Sequence, residues 1–130
     1  MNRLTLQGLH ILVVDDDPRV GGLYAMVLRE AGATVTLSGE ATEAVQLADL
    51  HPPDVVVTDL RMPRHDGVWL LQEVKRRMPG IPVIVVTGAL DAPGDDQLLN
   101  LGFADSLHKP LILSKLAEAV ARVVRHRDST

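Results

Sequence analysis

The segment HILVVDDD at residues 10–17 contains an apolar run that is followed directly by three acids. Two similar apolar runs come later in the chain, VVV at 55–57 and VIVV at 83–86. None of these runs alternates apolar with polar residues, which is typical of strands covered on both faces in a parallel sheet. The sequence therefore predicts a buried parallel sheet, with weaker strand candidates at 34–37 and 104–107.

Helical spacing of apolar residues fills the segments between the strands. The first helix is predicted from the apolar positions Val20, Leu23, Val27 and Ala31. Asp17 is its candidate N-cap, with Pro18 at the first helical position and Gly32 as a stop. The four further helical patterns lie at residues 41–48, 70–78, 95–101 and 116–124. The last of them has Ser114 as a candidate cap.

A strand followed by a helix, repeated five times, predicts right-handed crossovers and a three-layer α/β sandwich. The length of 130 residues suits one domain over 1–130. We expect an ordered core at about 8–125, a frayed tail at 125–130 and no second, output domain.

Composition excludes several classes of function. Aromatic residues make up 2% of the chain and the net charge is −4, so base stacking and direct binding to nucleic acid are not expected. The absence of cysteine excludes disulfides and thiol chemistry. With no signal peptide or long apolar segment, the sequence predicts a cytoplasmic protein without a membrane span.

Reactive side chains follow four of the predicted strands. Asp15 and Asp16 come after the first strand, and Asp59 comes after the third. Thr87 follows the fourth strand and Lys109 the fifth. The carboxyl ends of parallel strands meet at one edge of a sheet, where ligands bind in folds of this class. We therefore expect these five side chains to converge.

The chemistry of this cluster predicts a phosphoryl site. Two carboxylates about 4 Å apart repel by about 4 kcal/mol at an effective dielectric near 20, so three acids need compensation. An all-oxygen site of this kind favours Mg²⁺, and Mn²⁺ can substitute. A hydroxyl and an ammonium suit the remaining oxygens of a phosphoryl group. Each residue alone is commonly a turn former or a surface charge, so the prediction depends on all of them together. Asp17 is interpreted as a helix cap, and Asp66-Gly67 as a turn that enters the third helix.

Four segments in this order resemble the receiver domain of two-component response regulators, over essentially the whole chain. They are ILVVDDDP at 11–18, DVVVTDLRMPRHDG at 54–67, VIVVTG at 83–88 and HKPL at 108–111. The resemblance implies a flavodoxin-like (βα)5 fold with strand order 2-1-3-4-5 and helices on both faces of the sheet.

The resemblance also implies a role for each candidate residue. The carboxylates of Asp15, Asp16 and Asp59 and the backbone carbonyl of Arg61 would hold Mg²⁺. Asp59 would accept a phosphoryl group from the phosphohistidine of a sensor histidine kinase.

Thr87 and Lys109 would contact the phosphoryl group after transfer. The face formed by the fourth helix, the fifth strand and the fifth helix would then signal to a downstream protein or a histidine phosphotransfer protein. The chain would catalyse only its own phosphorylation and dephosphorylation, so it would not be an enzyme.

The chain departs from the family pattern near the fifth strand. Ser106 stands where receivers commonly carry Tyr or Phe, and Leu111 stands where an aromatic often follows the Lys-Pro pair. The surrounding segment is similar to receivers attached to hybrid sensor kinases, which implies a phosphorelay role. Arg61 and Ala89 flank the site, and their side chains predict slow hydrolysis of the aspartyl phosphate.

Two alternatives remain open from the sequence. In a haloacid-dehalogenase-like phosphatase, Asp15 would be the nucleophile and Asp17 the general acid. Against this, Arg19 stands where that family has Thr or Val, and no acidic motif follows Lys109. The substitutions Asp59→Asn and Asp15→Asn distinguish the two interpretations. The other alternative is a receiver-like binding module that works without phosphorylation.

Overall fold

A computed structural model describes residues 5–88 and 93–128. Strands and helices alternate along these residues. The strands are β1 (His10–Val14), β2 (Thr34–Ser38), β3 (Val55–Asp59), β4 (Val83–Gly88) and β5 (Asp105–Lys109). The helices are α1 (Pro18–Glu30), α2 (Ala41–Leu50), α3 (Gly67–Arg77), α4 (Asp95–Leu101) and α5 (Leu113–Asp128).

The five strands form one parallel sheet in the order β2-β1-β3-β4-β5, which confirms the predicted topology. Helices α1 and α5 pack on one face, where Tyr24 and Leu28 meet Leu116 and Val120. Helices α2, α3 and α4 cover the other face. Because both faces are covered, the central strands can be apolar throughout, and every residue of β3 is buried.

The strands continue past the apolar runs that predict them. Strand β3 extends to Asp59 and β4 extends to Gly88, because backbone pairing continues into the polar residues at the carboxyl edge. The weakest candidate, at 104–107, is shifted to Asp105–Lys109. This extension brings the polar residues into the sheet itself, so their backbone is fixed by ladder hydrogen bonds.

The predicted cap of α1 is confirmed, and the residue predicted to form a turn before α3 is also a helix cap. Asp17 is the N-cap of α1, and its Oδ1 accepts a hydrogen bond from the Arg19 N–H at 3.0 Å. Asp66 is the N-cap of α3, and its Oδ1 accepts one from the Trp69 N–H at 2.9 Å. Each cap satisfies a backbone donor that the first turn leaves unpaired.

The predicted apolar face of α1 is displaced. Its buried residues are Gly21, Tyr24, Ala25 and Leu28, whereas Leu23 is 48% exposed. The phenol of Tyr24 supplies the large buried surface that the spacing of aliphatic residues alone does not indicate. Val20, Val27 and Ala31 lie partly buried at the margin of the same core.

The prediction that Ser114 caps α5 is wrong, because the helix starts at Leu113 and Ser114 lies within its first turn. The helix continues to Asp128, whereas the sequence predicts a frayed tail at 125–130, of which residues 129–130 lie outside the described residues. Arg127 explains this extension, since its guanidinium donates to the carbonyl of Asp54 at 2.9 Å and fixes the last turn near the start of β3. Within the described ranges, no helix has the length and hydrophobicity needed to cross a lipid bilayer.

Candidate functional site

The predicted site residues lie at the carboxyl edge of the sheet. Asp15 follows β1 directly, and Asp59 and Lys109 are the last residues of β3 and β5. In the register of β3 and β4, Asp59 pairs with Val86, the residue before Thr87. The parallel topology thus brings these residues to a common edge, as the strand ends predict.

Three carboxylates form the centre of the site. One carboxylate oxygen from each of Asp15, Asp16 and Asp59 lies within 4.8 Å of the others. Asp15 is 3% exposed and Asp59 is 8% exposed, whereas Asp16 is exposed. Asp15 Oδ1 accepts a hydrogen bond from the Asp17 N–H at 2.9 Å. In the described part of the chain, Asp15 Oδ2 is buried and has no hydrogen-bond partner.

Burial raises the pKa of Asp15, and the charges of Asp59 and Asp16 raise it further. The Asp17 N–H and the Lys109 charge act in the opposite direction without cancelling the rise. An ionised Asp15 is therefore costly in this position. A group that supplies positive charge to Oδ2 would remove that cost.

Lys109 supplies one positive charge to the cluster. Its Nζ donates a hydrogen bond to Asp59 Oδ2 at 3.1 Å. Burial is the largest influence on the pKa of Lys109 and lowers it, but the hydrogen bond and charge of Asp59, with the charges of Asp15 and Tyr24, raise it overall. Lys109 therefore stays protonated and neutralises one of the three acids.

The donor set fits a divalent cation. Carboxylate oxygens are the hard ligands that Mg²⁺ and Mn²⁺ prefer, and three acids beside one lysine leave an excess of negative charge. The unpartnered Asp15 Oδ2 is a buried acceptor available to such an ion. The side chain of Arg61 is exposed in the loop after β3, where it lines an open cleft of about 560 Å³ with Arg64 and Trp69.

Thr87 is buried in β4, with 1% of its surface exposed. Its hydroxyl donates to the carbonyl of Gly88 at 3.2 Å. This is a local contact within the strand end, and rotation of the side chain would release the hydroxyl for another acceptor. Ala89, the other residue expected beside the site, lies outside the described residues.

The model of the family described as "response regulator receiver domain" matches residues 11–121. The chain belongs to this family. Receiver domains of this kind act in two-component signalling. The fold and the position of the acidic cluster at the carboxyl edge of the sheet agree with this membership.

Relatives and solved structures support the same family. The DNA-binding transcriptional regulator NtrC of Escherichia coli strain K12 is 33% identical over 116 residues, which are 89% of this chain and 25% of NtrC. The chain thus spans a quarter of the length of that relative. A response regulator receiver domain protein from Clostridium thermocellum superposes with a TM-score of 0.86 at 27% identity, covering 92% of this chain and 97% of that one. The FixJ-N crystal structure superposes with a TM-score of 0.82 at 32% identity, covering 93% and 97%. The similarity to hybrid-kinase receivers remains a prediction.

Gly67 of this receiver domain contacts the backbone of the site, and the sequence does not reveal this contact. Its N–H donates to the carbonyl of Leu60 at 2.8 Å. A Cβ at this position would lie 2.7 Å from the carbonyl oxygen of Asp59, closer than real Cβ contacts. The Asp66-Gly67 dipeptide predicts a turn, but only the packing shows that α3 begins against the backbone of Asp59.

Strand β5 of the receiver domain carries polar contacts to α4. Ser106 Oγ donates to Asp95 Oδ1 at 2.9 Å, and His108 Nε2 lies 3.0 Å from Asp95 Oδ2. The hydrogen bond of His108, followed by that of Ser106, holds the pKa of Asp95 below its usual value. Polar contacts therefore join α4 to β5 at the strand position where the family pattern has an aromatic ring.

Proposed function

We propose that this receiver domain accepts a phosphoryl group on Asp59 from the phosphohistidine of a sensor histidine kinase. One observation carries the proposal: Asp59 pairs with Lys109 at 3.1 Å beside the two acids that follow β1. A nucleophilic carboxylate, a fixed ammonium and a cation site are the groups that phosphoryl transfer needs. The ligands of Mg²⁺ or Mn²⁺ would be the carboxylates of Asp15, Asp16 and Asp59 and the backbone carbonyl of Arg61.

The transfer exchanges one bond to phosphorus for another. An oxygen of Asp59 forms a bond to phosphorus, the bond between phosphorus and the kinase imidazole breaks, and the electron pair returns to the imidazole. Bound Mg²⁺ would supply positive charge that screens the incoming phosphoryl oxygens from the carboxylates. Lys109 holds the Asp59 carboxylate in place before transfer and pairs with the new negative charge afterwards.

Asp59 is better suited than Asp15 to accept a phosphoryl group. The phosphatase alternative would require Asp15 as the acceptor. Burial raises the pKa of Asp15, and one of its oxygens is occupied by the Asp17 N–H. The other oxygen is the buried acceptor that the cation would take. Asp59 is also nearly buried, but its hydrogen bond comes from the ammonium of Lys109, whose positive charge can pair with the phosphoryl group after transfer. Family membership and this contrast both favour the receiver chemistry.

Phosphorylation would be transmitted through Thr87. The new group carries a charge of about −1.5 to −2 at neutral pH. This charge attracts the hydroxyl that Thr87 now directs to Gly88, and the resulting movement acts on β4 and β5. The contacts of Ser106 and His108 with Asp95 lie on the α4–β5–α5 face, which is the surface we assign to signalling.

The partners follow from this chemistry. The phosphodonor is a sensor histidine kinase, and the recipient of the signal is a downstream protein or a histidine phosphotransfer protein. We propose no direct contact with nucleic acid and no enzymatic activity beyond self-phosphorylation and dephosphorylation. Because the kinase takes its phosphate from ATP, we place the chain in the cytoplasm with the kinase domain.

Incubation with acetyl phosphate and Mg²⁺, followed by intact-protein mass spectrometry, tests the proposal. The wild type should gain the mass of one phosphoryl group, and Asp59→Asn should gain none. Asp15→Asn should be labelled more slowly, and EDTA should suppress labelling of the wild type. Equal labelling of Asp59→Asn would contradict the proposal. A wild type that stays unlabelled would instead favour the phosphorylation-independent binding module.

A further inference from the structure

The loop between β3 and α3 contains a strained turn. Arg64 has a φ of 71°, in the left-handed region that a non-glycine residue rarely adopts. The His65 N–H donates to the Pro63 carbonyl at 2.9 Å, so Arg64 is the central residue of a three-residue turn. A γ-turn with positive φ is uncommon and strained, and it persists only where its surroundings hold it.

The end of this loop is already fixed to α3. Asp66 caps the helix through the Trp69 N–H, and the His65 ring stacks on the Trp69 ring with centroids 4.0 Å apart. The Gly67 N–H closes the loop onto Leu60. The strained residue lies between this anchored end and the segment that carries the Arg61 carbonyl.

The N-cap residue of α2 holds the strained residue from outside the loop. The Arg64 guanidinium forms an ion pair with the carboxylate of Glu40. Glu40 occupies the N-cap position of α2 but makes no side-chain cap hydrogen bond, so its carboxylate is available to Arg64. The Thr42 hydroxyl donates to its other oxygen. The hydrogen bond from Thr42, with the charge of Arg64, lowers the pKa of Glu40, which keeps it ionised.

We propose that Glu40 and Arg64 are positioning residues that hold the β3–α3 loop in its strained turn and thereby present the Arg61 carbonyl to the cation. The ion pair joins the loop to the N-cap residue of α2, and without it the turn has less to offset its backbone strain. The proposal rests on the proposed function, because the cation site is part of that function. Its direct consequence is that the ion pair affects Mg²⁺ affinity although neither side chain touches the ion.

A Mg²⁺ titration of variants tests this role. Trp69 is the single tryptophan of the chain and stacks on the loop, so its fluorescence reports loop geometry. Glu40→Gln and Arg64→Gln should each raise the dissociation constant for Mg²⁺ about two- to five-fold, the effect expected of one exposed ion pair. The double variant Glu40→Arg with Arg64→Glu should recover most of the affinity. Calorimetry gives the same constants without the fluorophore.

The chain offers a matched control. Arg77 and Asp49 form a second ion pair between α3 and α2, at 2.8 Å, near the carboxyl ends of both helices. Arg77→Gln also removes an arginine charge from an ion pair, but at the ends of α2 and α3 that lie opposite to Glu40 and the loop, and it should leave Mg²⁺ affinity unchanged. Equal weakening by Arg77→Gln and Arg64→Gln would show a general effect of charge and overturn the proposal. Wild-type affinity in both Glu40→Gln and Arg64→Gln would also overturn it.

Hydrogen exchange of the His65 amide separates this proposal from the proposed function. That amide closes the strained turn, so its exchange in EDTA should be faster in Glu40→Gln and Arg64→Gln than in the wild type or Arg77→Gln. If the wild type binds no Mg²⁺, the proposed cation site fails, while the exchange rates still show whether the ion pair holds the turn. Unchanged exchange in both variants would refute the holding role.

Discussion

Replacing Asp15 by Asn should stabilise the metal-free protein. One oxygen of Asp15 lies within 4.8 Å of oxygens of Asp16 and Asp59, and a like-charge pair at that distance repels by about 3.5 kcal/mol at an effective dielectric near 20. Solvent screens the exposed Asp16, and Lys109 offsets part of the Asp59 charge. The net gain in the free energy of unfolding should therefore be about 1–2 kcal/mol.

Thermal and urea unfolding in EDTA measure this gain. For a domain of this size, we expect the Tm of Asp15→Asn to exceed that of the wild type by about 4–8 °C. Added Mg²⁺ should stabilise the wild type more than the variant, because the variant loses a charged ligand. Asp16→Asn, which removes an exposed charge from the same cluster, should give a smaller gain in EDTA.

The pH dependence of the free energy of unfolding tests the direction of this effect. The pKa of Asp15 in the folded state is raised above its usual value by burial, so folding favours the protonated form. The destabilisation is fully present above the folded pKa and disappears as the pH falls through that pKa to the unfolded value. The advantage of Asp15→Asn should therefore be largest at neutral pH and shrink in acid. A variant less stable than the wild type in EDTA, or an advantage that does not change with pH, would show that Asp15 is not destabilised by its neighbours.

Three further substitutions test other parts of the site. Gly67→Ala should lower the free energy of unfolding by about 1–3 kcal/mol, because its Cβ would meet the Asp59 carbonyl oxygen. Gly80→Ala, with open space around the new Cβ, is the control in the same urea titration. Lys109→Met removes a cation 3.1 Å from Asp59, so calorimetry should show tighter Mg²⁺ binding. Labelling by acetyl phosphate should be slower than in the wild type. Weaker Mg²⁺ binding would contradict this prediction. Asp66→Ala should lower the free energy of unfolding by about 1 kcal/mol through loss of the α3 cap. Asp66→Asn should retain most of the wild-type stability, because Asn can also cap a helix.

Much of the fold could be predicted from local sequence, because its central strands are buried on both faces. The apolar runs at 10–14, 55–57 and 83–86 can form strands only in a covered parallel sheet, and the topology follows from the alternation with helices. Helix starts with a side-chain cap, as at Asp17, could also be predicted. The core face of α1 could not, because the burial of Tyr24 depends on α5 packing across it.

The cluster of acids could be predicted because strand ends of a parallel sheet share one edge. The contacts around it could not, since they join residues far apart in the chain. The contact of Ser106 with Asp95 depends on where α4 lies against β5, and the ion pair of Glu40 with Arg64 depends on the distance between two loops. No spacing rule reports such distances, so these contacts became apparent only in the structure.

Chemical mapping identifies the side chain that accepts the phosphoryl group. The protein would be phosphorylated with acetyl phosphate and Mg²⁺, the acyl phosphate reduced with borohydride, and the modified residue located by peptide sequencing in the mass spectrometer. We expect the reduced residue to be Asp59, which directly follows the segment VVVT at residues 55–58. Modification of Asp15 in place of Asp59 would contradict the account.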